Sequence, residues 1–187
     1  LWGANIASQP NTSRHITAAK KRGARVVVID VRVSEACKLA HEYFLVKPGT
    51  DAALALAMMH VIVSENRHDK DFIAEHSIGF EQLAEHIKSS SPEWAASLSG
   101  ISAERIIALA REYADTERAM IVLGGSSLYK DQHGWQASRA ISCLPALTGK
   151  LGKPGTGLGP RHAGECHGFG LQSIVNPEAM PPGNYVP

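Results

Sequence analysis

Cysteine is scarce in this 187-residue sequence: Cys37, Cys143 and Cys166 lie far apart, and no C-x-x-C pair occurs. That spacing argues against a zinc ribbon or a local iron–sulfur motif, and the odd count argues against a disulfide framework. The expectation is three reduced thiols that pack as small apolar groups. Long hydrophobic runs are also missing. The longest, Ala52 to Val63, falls short of the roughly 18 residues of a membrane span and carries His60. Net charge is only +1, and the densest basic run, Lys20-Lys21-Arg22 with Arg25, reads as a solvated helix end. Neither nucleic-acid binding nor membrane contact is expected of this segment. No basic n-region precedes an apolar stretch at the start. Leu1 stands in place of an initiator methionine, on residues that read as the end of a strand, so a fragment of a larger chain is expected. A G-x-G-x-x-G fingerprint and a Tyr-x-x-x-Lys pair are both absent, which argues against an NAD(P)-dependent dehydrogenase.

What remains is an ordinary globular composition, 44% hydrophobic and 20% charged. The chain opens with a strand end, Leu1 to Ile6, that runs into a glycine turn, and a helix over Ser13 to Arg22 stopped by Gly23. Ala24-Arg25-Val26-Val27-Val28-Ile29-Asp30 follows, and its β-branched run predicts a strand buried on both faces, as in parallel sheets. This is a βαβ unit with an acid at the end of its second strand. Tyr43 to Val46 reads as a short strand, and Ala52 to about Glu65 as a buried helix capped by Thr50 or Asp51. Shorter helices are expected over Asp69–His76, Phe80–Lys88, Glu93–Leu98 behind Pro92, and Ala103–Ala114 behind Ser102. Ala119 to Leu123 is a second buried strand ending at Gly124-Gly125. A helix over Trp135 to Leu147 should be kinked or cut by Pro145. Eight glycines between Gly149 and Gly170 mark a segment not expected to pack as regular structure.

Candidate site residues lie at the strand ends, and each has a structural alternative. Gly3-Ala4-Asn5 at a strand-to-helix turn either shapes the turn or lets backbone N–H groups approach a phosphate. Asp30, 27 residues after Gly3, either bonds a ribose hydroxyl pair or forms an ion pair with Arg32. Asp51, in Pro48-Gly49-Thr50-Asp51, either caps a helix or accepts two hydrogen bonds from a guanine edge. Gly124-Gly125-Ser126-Ser127 sits where ligands of open α/β sheets bind, with Gln132 and His133 beyond. Arg161, His162, Glu165, Cys166 and His167 crowd the glycine-rich tail, at spacings that fit no standard zinc site. No catalytic residue and no metal ligand is assigned.

The order of these elements along the chain resembles the molybdopterin oxidoreductase family, which includes dimethyl sulfoxide reductase and formate dehydrogenase. The resemblance rests on Trp2-Gly3-Ala4-Asn5, Val28-Ile29-Asp30-Val31-Arg32 and Lys47-Pro48-Gly49-Thr50-Asp51-Ala52-Ala53-Leu54. It extends through Asp71-Phe72-Ile73, Gly79-Phe80-Glu81, the run from Leu147 to Gly157 and Met180-Pro181-Pro182-Gly183-Asn184-Tyr185. Val31 stands where the family usually has proline. The resemblance implies a Rossmann-like three-layer α/β sandwich with a mainly parallel sheet over residues 1–156, and an extended glycine- and proline-rich segment over 157–187.

It also implies a bis(molybdopterin guanine dinucleotide) cofactor with molybdenum or tungsten, used for two-electron redox chemistry. Gly3 and Asn5 would meet phosphates, Asp30 and Arg32 the ribose or guanine, and Gly49 and Asp51 the guanine. Gly124, Gly125, Ser126 and the tail would line the pterin side. The family's metal ligand and any iron–sulfur motif lie N-terminal to such a segment, so any iron–sulfur cluster would belong to the parent chain, and the segment alone is expected to be inactive. Partners would be the rest of the parent enzyme and its electron-transfer subunits. The compartment, cytoplasmic or periplasmic, is left open. A stand-alone nucleotide-binding module and a scaffold relative without catalysis are the alternative readings.

Overall fold

A computed structural model describes residues 1–8, 10–125, 128 and 130–160. Within them the elements are α1 (Pro10–Lys21), β1 (Val27–Asp30), α2 (Glu35–Leu39), β2 (Glu42–Leu45), α3 (Asp51–Ser64) and α4 (Lys70–His76). There follow α5 (Phe80–His86), α6 (Pro92–Ser99), α7 (Ala103–Asp115), β3 (Met120–Leu123), α8 (Gly134–Leu147) and β4 (Gly157–Pro160). Two short 3-10 turns, Ile6–Ser8 and Ile87–Ser89, complete the path.

Every strand pairing among the described residues is parallel. β1 pairs with β2, placing Val27 opposite Glu42, and β3 pairs with β4, placing Met120 opposite Gly157. The opening residues join the two pairs. Trp2 bridges Ile29 on one side and Leu123 on the other. Its N–H donates to Val122 O (2.9 Å) and its carbonyl accepts from Gly124 N (2.7 Å), while Ile29 N donates to Leu1 O (2.8 Å). The resulting order is β2, β1, the opening segment, β3, β4. In chain order this is the 3-2-1-4-5 arrangement of doubly wound dinucleotide-binding sheets. The sandwich expected from the sequence is therefore present.

Alternation along β1 explains the three layers. Val28 faces a small core with Ile6, Val26, Ala36 and Cys37, covered by α1 and α2. Ile29, one residue on, faces a larger core with Phe44, Leu54, Met58, Ile106 and Leu144. Successive strand side chains point to opposite faces, so a β-branched run with no polar break serves both layers. The centre of the larger core is α3, where Leu54, Met59 and Ile62 are fully buried. Each such side chain contributes about 1.5–3 kcal/mol of burial free energy.

Local capping follows the sequence at several places. Asp69 accepts from Phe72 N (2.9 Å), Ser91 from Trp94 N (3.2 Å) and Ser102 from Arg105 N (3.5 Å). Three expectations are corrected and one element is added. Neither Thr50 nor Asp51 caps α3: Thr50 Oγ1 donates to Lys47 O (2.6 Å), and Asp51 is already the first helical residue, with its carboxylate turned to Trp2. Pro145 does not cut α8, because it falls in the last turn, where the chain closes by other bonds. Thr148 N and Oγ1 both donate to Leu144 O (3.2 and 2.9 Å), and Lys150 N donates to Pro145 O (2.8 Å). The short helix α2 was not anticipated. Gly157–Pro160, read as part of an irregular segment, forms β4, because an edge strand against β3 needs backbone pairing and not bulky side chains. The remainder of that segment, 161–187, lies outside the described residues.

An ion-pair network ties the end of α3 to α7. Glu65 receives Arg111 through Nε and Nη2 (2.9 and 2.7 Å) and Arg67 through Nε (2.7 Å), and Arg67 also pairs with Asp115. Hydrogen bonds from Arg111 and Arg67 lower the Glu65 carboxyl from 4.5 to about 2. A carboxyl lowered by folding stabilises the protein above its unfolded value, and that contribution is lost as pH falls from 4.5 to about 2. Glu65→Gln is accordingly expected to lower the urea midpoint at pH 7, with the gap to the parent closing as the pH approaches 2. Equal gaps at pH 7 and pH 2.5 would show that the network contributes no pH-linked stability.

Candidate functional site

Four loops leave the carboxyl ends of the strands on one edge of the sheet: residues 3–5 after the opening segment, 30–32 after β1, 46–51 after β2 and 124–125 after β3. The chain passes from the opening segment to β1 on one side, and later enters β3 on the other side. Loops at such a reversal point diverge and leave a crevice, which is where open α/β sheets bind ligands.

Around this edge the sequence-predicted residues separate into two groups. Gly49 and Asp51 line a cleft of about 230 Å³, together with Val31, Lys130 and Asp131. That is smaller than the roughly 300–1,000 Å³ of a pocket for a drug-sized ligand, so it fits a nucleobase-sized part of a larger molecule. Gly49 has φ +80°, and a Cβ there would stand 3.1 Å from Asp131 Oδ1, so glycine keeps both the turn and the space. The second group lies at the reversal point. The N–H of Gly3 donates to Ile29 O (2.8 Å) and that of Gly124 to Trp2 O (2.7 Å), so both of these donors are used by the sheet. Asn5 Oδ1 accepts from Ala7 N (3.2 Å) and its carbonyl accepts from Ser8 Oγ (2.9 Å), which shapes the turn into α1. Asp30 Oδ1 accepts from Val31 N (2.7 Å), and Arg32 pairs with Glu35 (3.5 Å) and not with Asp30. Gly125 follows directly, while Ser126 and the tail residues Arg161, His162, Glu165, Cys166 and His167 lie outside the described residues.

The electrostatics of the cleft centre on Asp51. Trp2 Nε1 donates to its Oδ1 at 2.7 Å. Burial pushes the Asp51 carboxyl above the usual range, the Trp2 indole and the residue's own N–H oppose that rise, and the charges of Asp131 and Asp30 add to it. A part-buried carboxylate with an upward shift and acidic neighbours gains most from a ligand that brings N–H donors. Lys130 is the cation of the lining among the described residues. Trp2, Lys130 and Asp131 were missed as site residues in the sequence. The signal for the last two was their place shortly after Gly124-Gly125, at a strand end.

Among the described residues, no group of three or more His, Cys, Asp or Glu side chains is placed to hold a metal ion, and no helix is long and apolar enough to cross a membrane.

A parallel sheet in this order, with an acidic cleft outside its carboxyl ends, defines a doubly wound α/β domain of the kind that seats nucleotide-type ligands. Within that class the chain belongs to the molybdopterin oxidoreductase family, whose profile it matches over residues 1–184. It is 40% identical to a probable oxidoreductase, YoaE, of Bacillus subtilis over 96% of its length and 26% of that protein. It is also 40% identical to the alpha subunit of an F420-dependent formate dehydrogenase of Methanocaldococcus jannaschii, over 86% of this chain and 24% of that one. Among solved structures, the acetylene hydratase of Pelobacter acetylenicus superposes with a TM-score of 0.72 at 30% identity, covering 77% of this chain and 20% of the other. The chain therefore spans about a quarter of the length of the curated relatives it matches.

Proposed function

We propose that this domain grips one guanine dinucleotide of a bis(molybdopterin guanine dinucleotide) cofactor, as part of a larger molybdenum or tungsten oxidoreductase. The observation that carries the reading is the Asp51 carboxylate, part-buried in a nucleobase-sized cleft and pushed up by its surroundings. The guanine edge offers two N–H donors side by side, and a carboxylate accepts both. Asp30 and Arg32 stand nearest the β1 end for the ribose, and Gly3 and Asn5 flank the turn into α1 for the phosphates. Gly124, Gly125 and Ser126 belong to the pterin side. The division into a cofactor-binding domain and a wrapping C-terminal segment is part of the same reading, with Gly157–Pro160 on the domain side because it pairs with β3.

The metal centre, when bound, supplies two-electron redox chemistry, and the domain's share is to position it and exclude water. The relatives' greater length supports placing the metal ligand, any iron–sulfur cluster and the electron-transfer partners outside this segment, which on its own would be inactive. The names formate dehydrogenase and acetylene hydratase attach to different reactions on related chains, so the domain is read as a cofactor grip and not as the source of substrate choice.

Calorimetric titration of the full chain with GDP tests this reading. Half a dinucleotide should bind with a Kd of roughly 1 mM, about 4 kcal/mol. Asp51→Ala should remove the heat, and Asp30→Ala should weaken it. GDP binding that survives Asp51→Ala unchanged would refute the guanine assignment.

A further inference from the structure

We propose that Trp2 is a positioning residue, whose indole N–H fixes the Asp51 carboxylate in the orientation its ligand requires. The inference rests on the guanine reading for what that ligand is. It rests on geometry for the link itself.

Trp2 is only 2% exposed, and its backbone is held from both sides. Its N–H and carbonyl bond to Val122 and Gly124, and the flanking residues bond to Ile29. The indole therefore cannot swing, and a buried indole N–H needs an acceptor. Its acceptor is Asp51 Oδ1, 49 residues away at the first turn of α3, at 2.7 Å. A neutral acceptor would satisfy the indole at lower cost. A charged one gains from its place in the first turn of α3 and from its own N–H, but burial and the charges of Asp131 and Asp30 work against it. The charge has a use if a ligand with paired N–H donors enters the cleft. With one Oδ1 lone pair held by Trp2, rotation of the carboxylate is restricted. The groups acting on Asp51 are Trp2 from the opening segment, its own backbone N–H, Asp30 from the end of β1 and Asp131 from the loop before α8, where Lys130 also lines the cleft. Trp2 is the side-chain donor in that set, and it acts whether or not the cleft is filled.

The test uses the full chain with isotope-labelled aspartate and tryptophan. The parent, Trp2→Phe, Asp51→Asn and Trp135→Phe, an exposed-surface control, are followed by NMR from pH 3 to 8 and titrated with GDP. In the parent, the Trp2 indole N–H resonance should move with the same midpoint as the Asp51 carboxyl, and Asp51→Asn should flatten it. Trp2→Phe keeps an aromatic ring but no donor. It should raise the Asp51 midpoint by about one pH unit and weaken GDP binding about tenfold, while Trp135→Phe changes neither. A merely structural role for Trp2 would alter the melting temperature without moving the Asp51 midpoint. An indole resonance that stays flat through the Asp51 titration overturns the proposal, and this measurement on the parent does not depend on whether Trp2→Phe folds. If the parent binds no GDP, the guanine reading falls, and the coupled indole and carboxyl titrations still decide whether Trp2 positions Asp51.

Discussion

Replacing Gly149 with alanine is expected to destabilise the protein by about 2–3 kcal/mol, from two separate causes. Gly149 has φ +60°, a conformation that costs a residue with a Cβ roughly 1–2 kcal/mol. An added Cβ would also stand 2.1 Å from Asp69 Oδ2 and 2.8 Å from Asp69 Cγ, so the carboxylate must move. That carboxylate caps α4 through Phe72 N, and losing a cap costs about 1 kcal/mol. The backbone cannot yield easily, because Asp69 N is bonded to Leu147 O (2.8 Å) and Lys150 N to Pro145 O (2.8 Å). Lys150 is anchored in turn, with Nζ on Ala114 O (2.9 Å) at the end of α7. In a domain of this size the loss corresponds to a melting temperature lower by roughly 5–10 °C. The double variant with Asp69→Ala should lose less than the sum of the two single variants, since the cap is then counted once. Additive losses would show that the Cβ and the carboxylate do not compete.

Asp51→Asn should shift binding and stability in opposite directions. Asparagine keeps an oxygen for Trp2 and the size of the side chain, but it removes the charge and one acceptor. A hydrogen bond to a charged group is worth about 1.5–3 kcal/mol, so GDP affinity should fall about 10–100-fold. For the ligand-free chain the sign reverses. Burial raises the Asp51 carboxyl above 3.8, so the folded state holds the proton more tightly than the unfolded state. The acid then favours folding below 3.8, and that contribution declines as pH rises from 3.8 through the higher folded value. At pH 7 the ionised carboxylate is a burden, and Asp51→Asn should melt at a higher temperature than the parent. Below pH 3.8 the difference should vanish. Parallel losses of affinity and of melting temperature would instead mark Asp51 as a structural residue.

Much of the architecture is legible because its signals are short-range. The run Val26 to Ile29 has no polar interruption and forms a strand that feeds cores on both faces. Asp69, Ser91 and Ser102 precede their helices and cap them. The apolar residues all round α3 mark it as buried, and it is. Reading failed where a local signal meets a competing partner. Thr50 and Asp51 carry a capping pattern, but the cap is overridden when Lys47 takes the threonine hydroxyl and Trp2 takes the carboxylate. Pro145 carries a break signal, but the bonds from Thr148 and Lys150 close the helix around it.

The sequence by itself determined the α/β class, the loops that carry Gly49 and Asp51, and the family to which those motifs belong. Propensity, capping and glycine turns act over a few residues and survive without tertiary context. Only the tertiary structure decided that Trp2 lies between β1 and β3 and that its indole meets Asp51. It also decided that Asp131 and Lys130 close the cleft, and that Gly157–Pro160 completes the sheet. These are contacts across tens of residues. They depend on strand order and on the depth at which a charge is buried, and neither is written in the neighbours of any one residue.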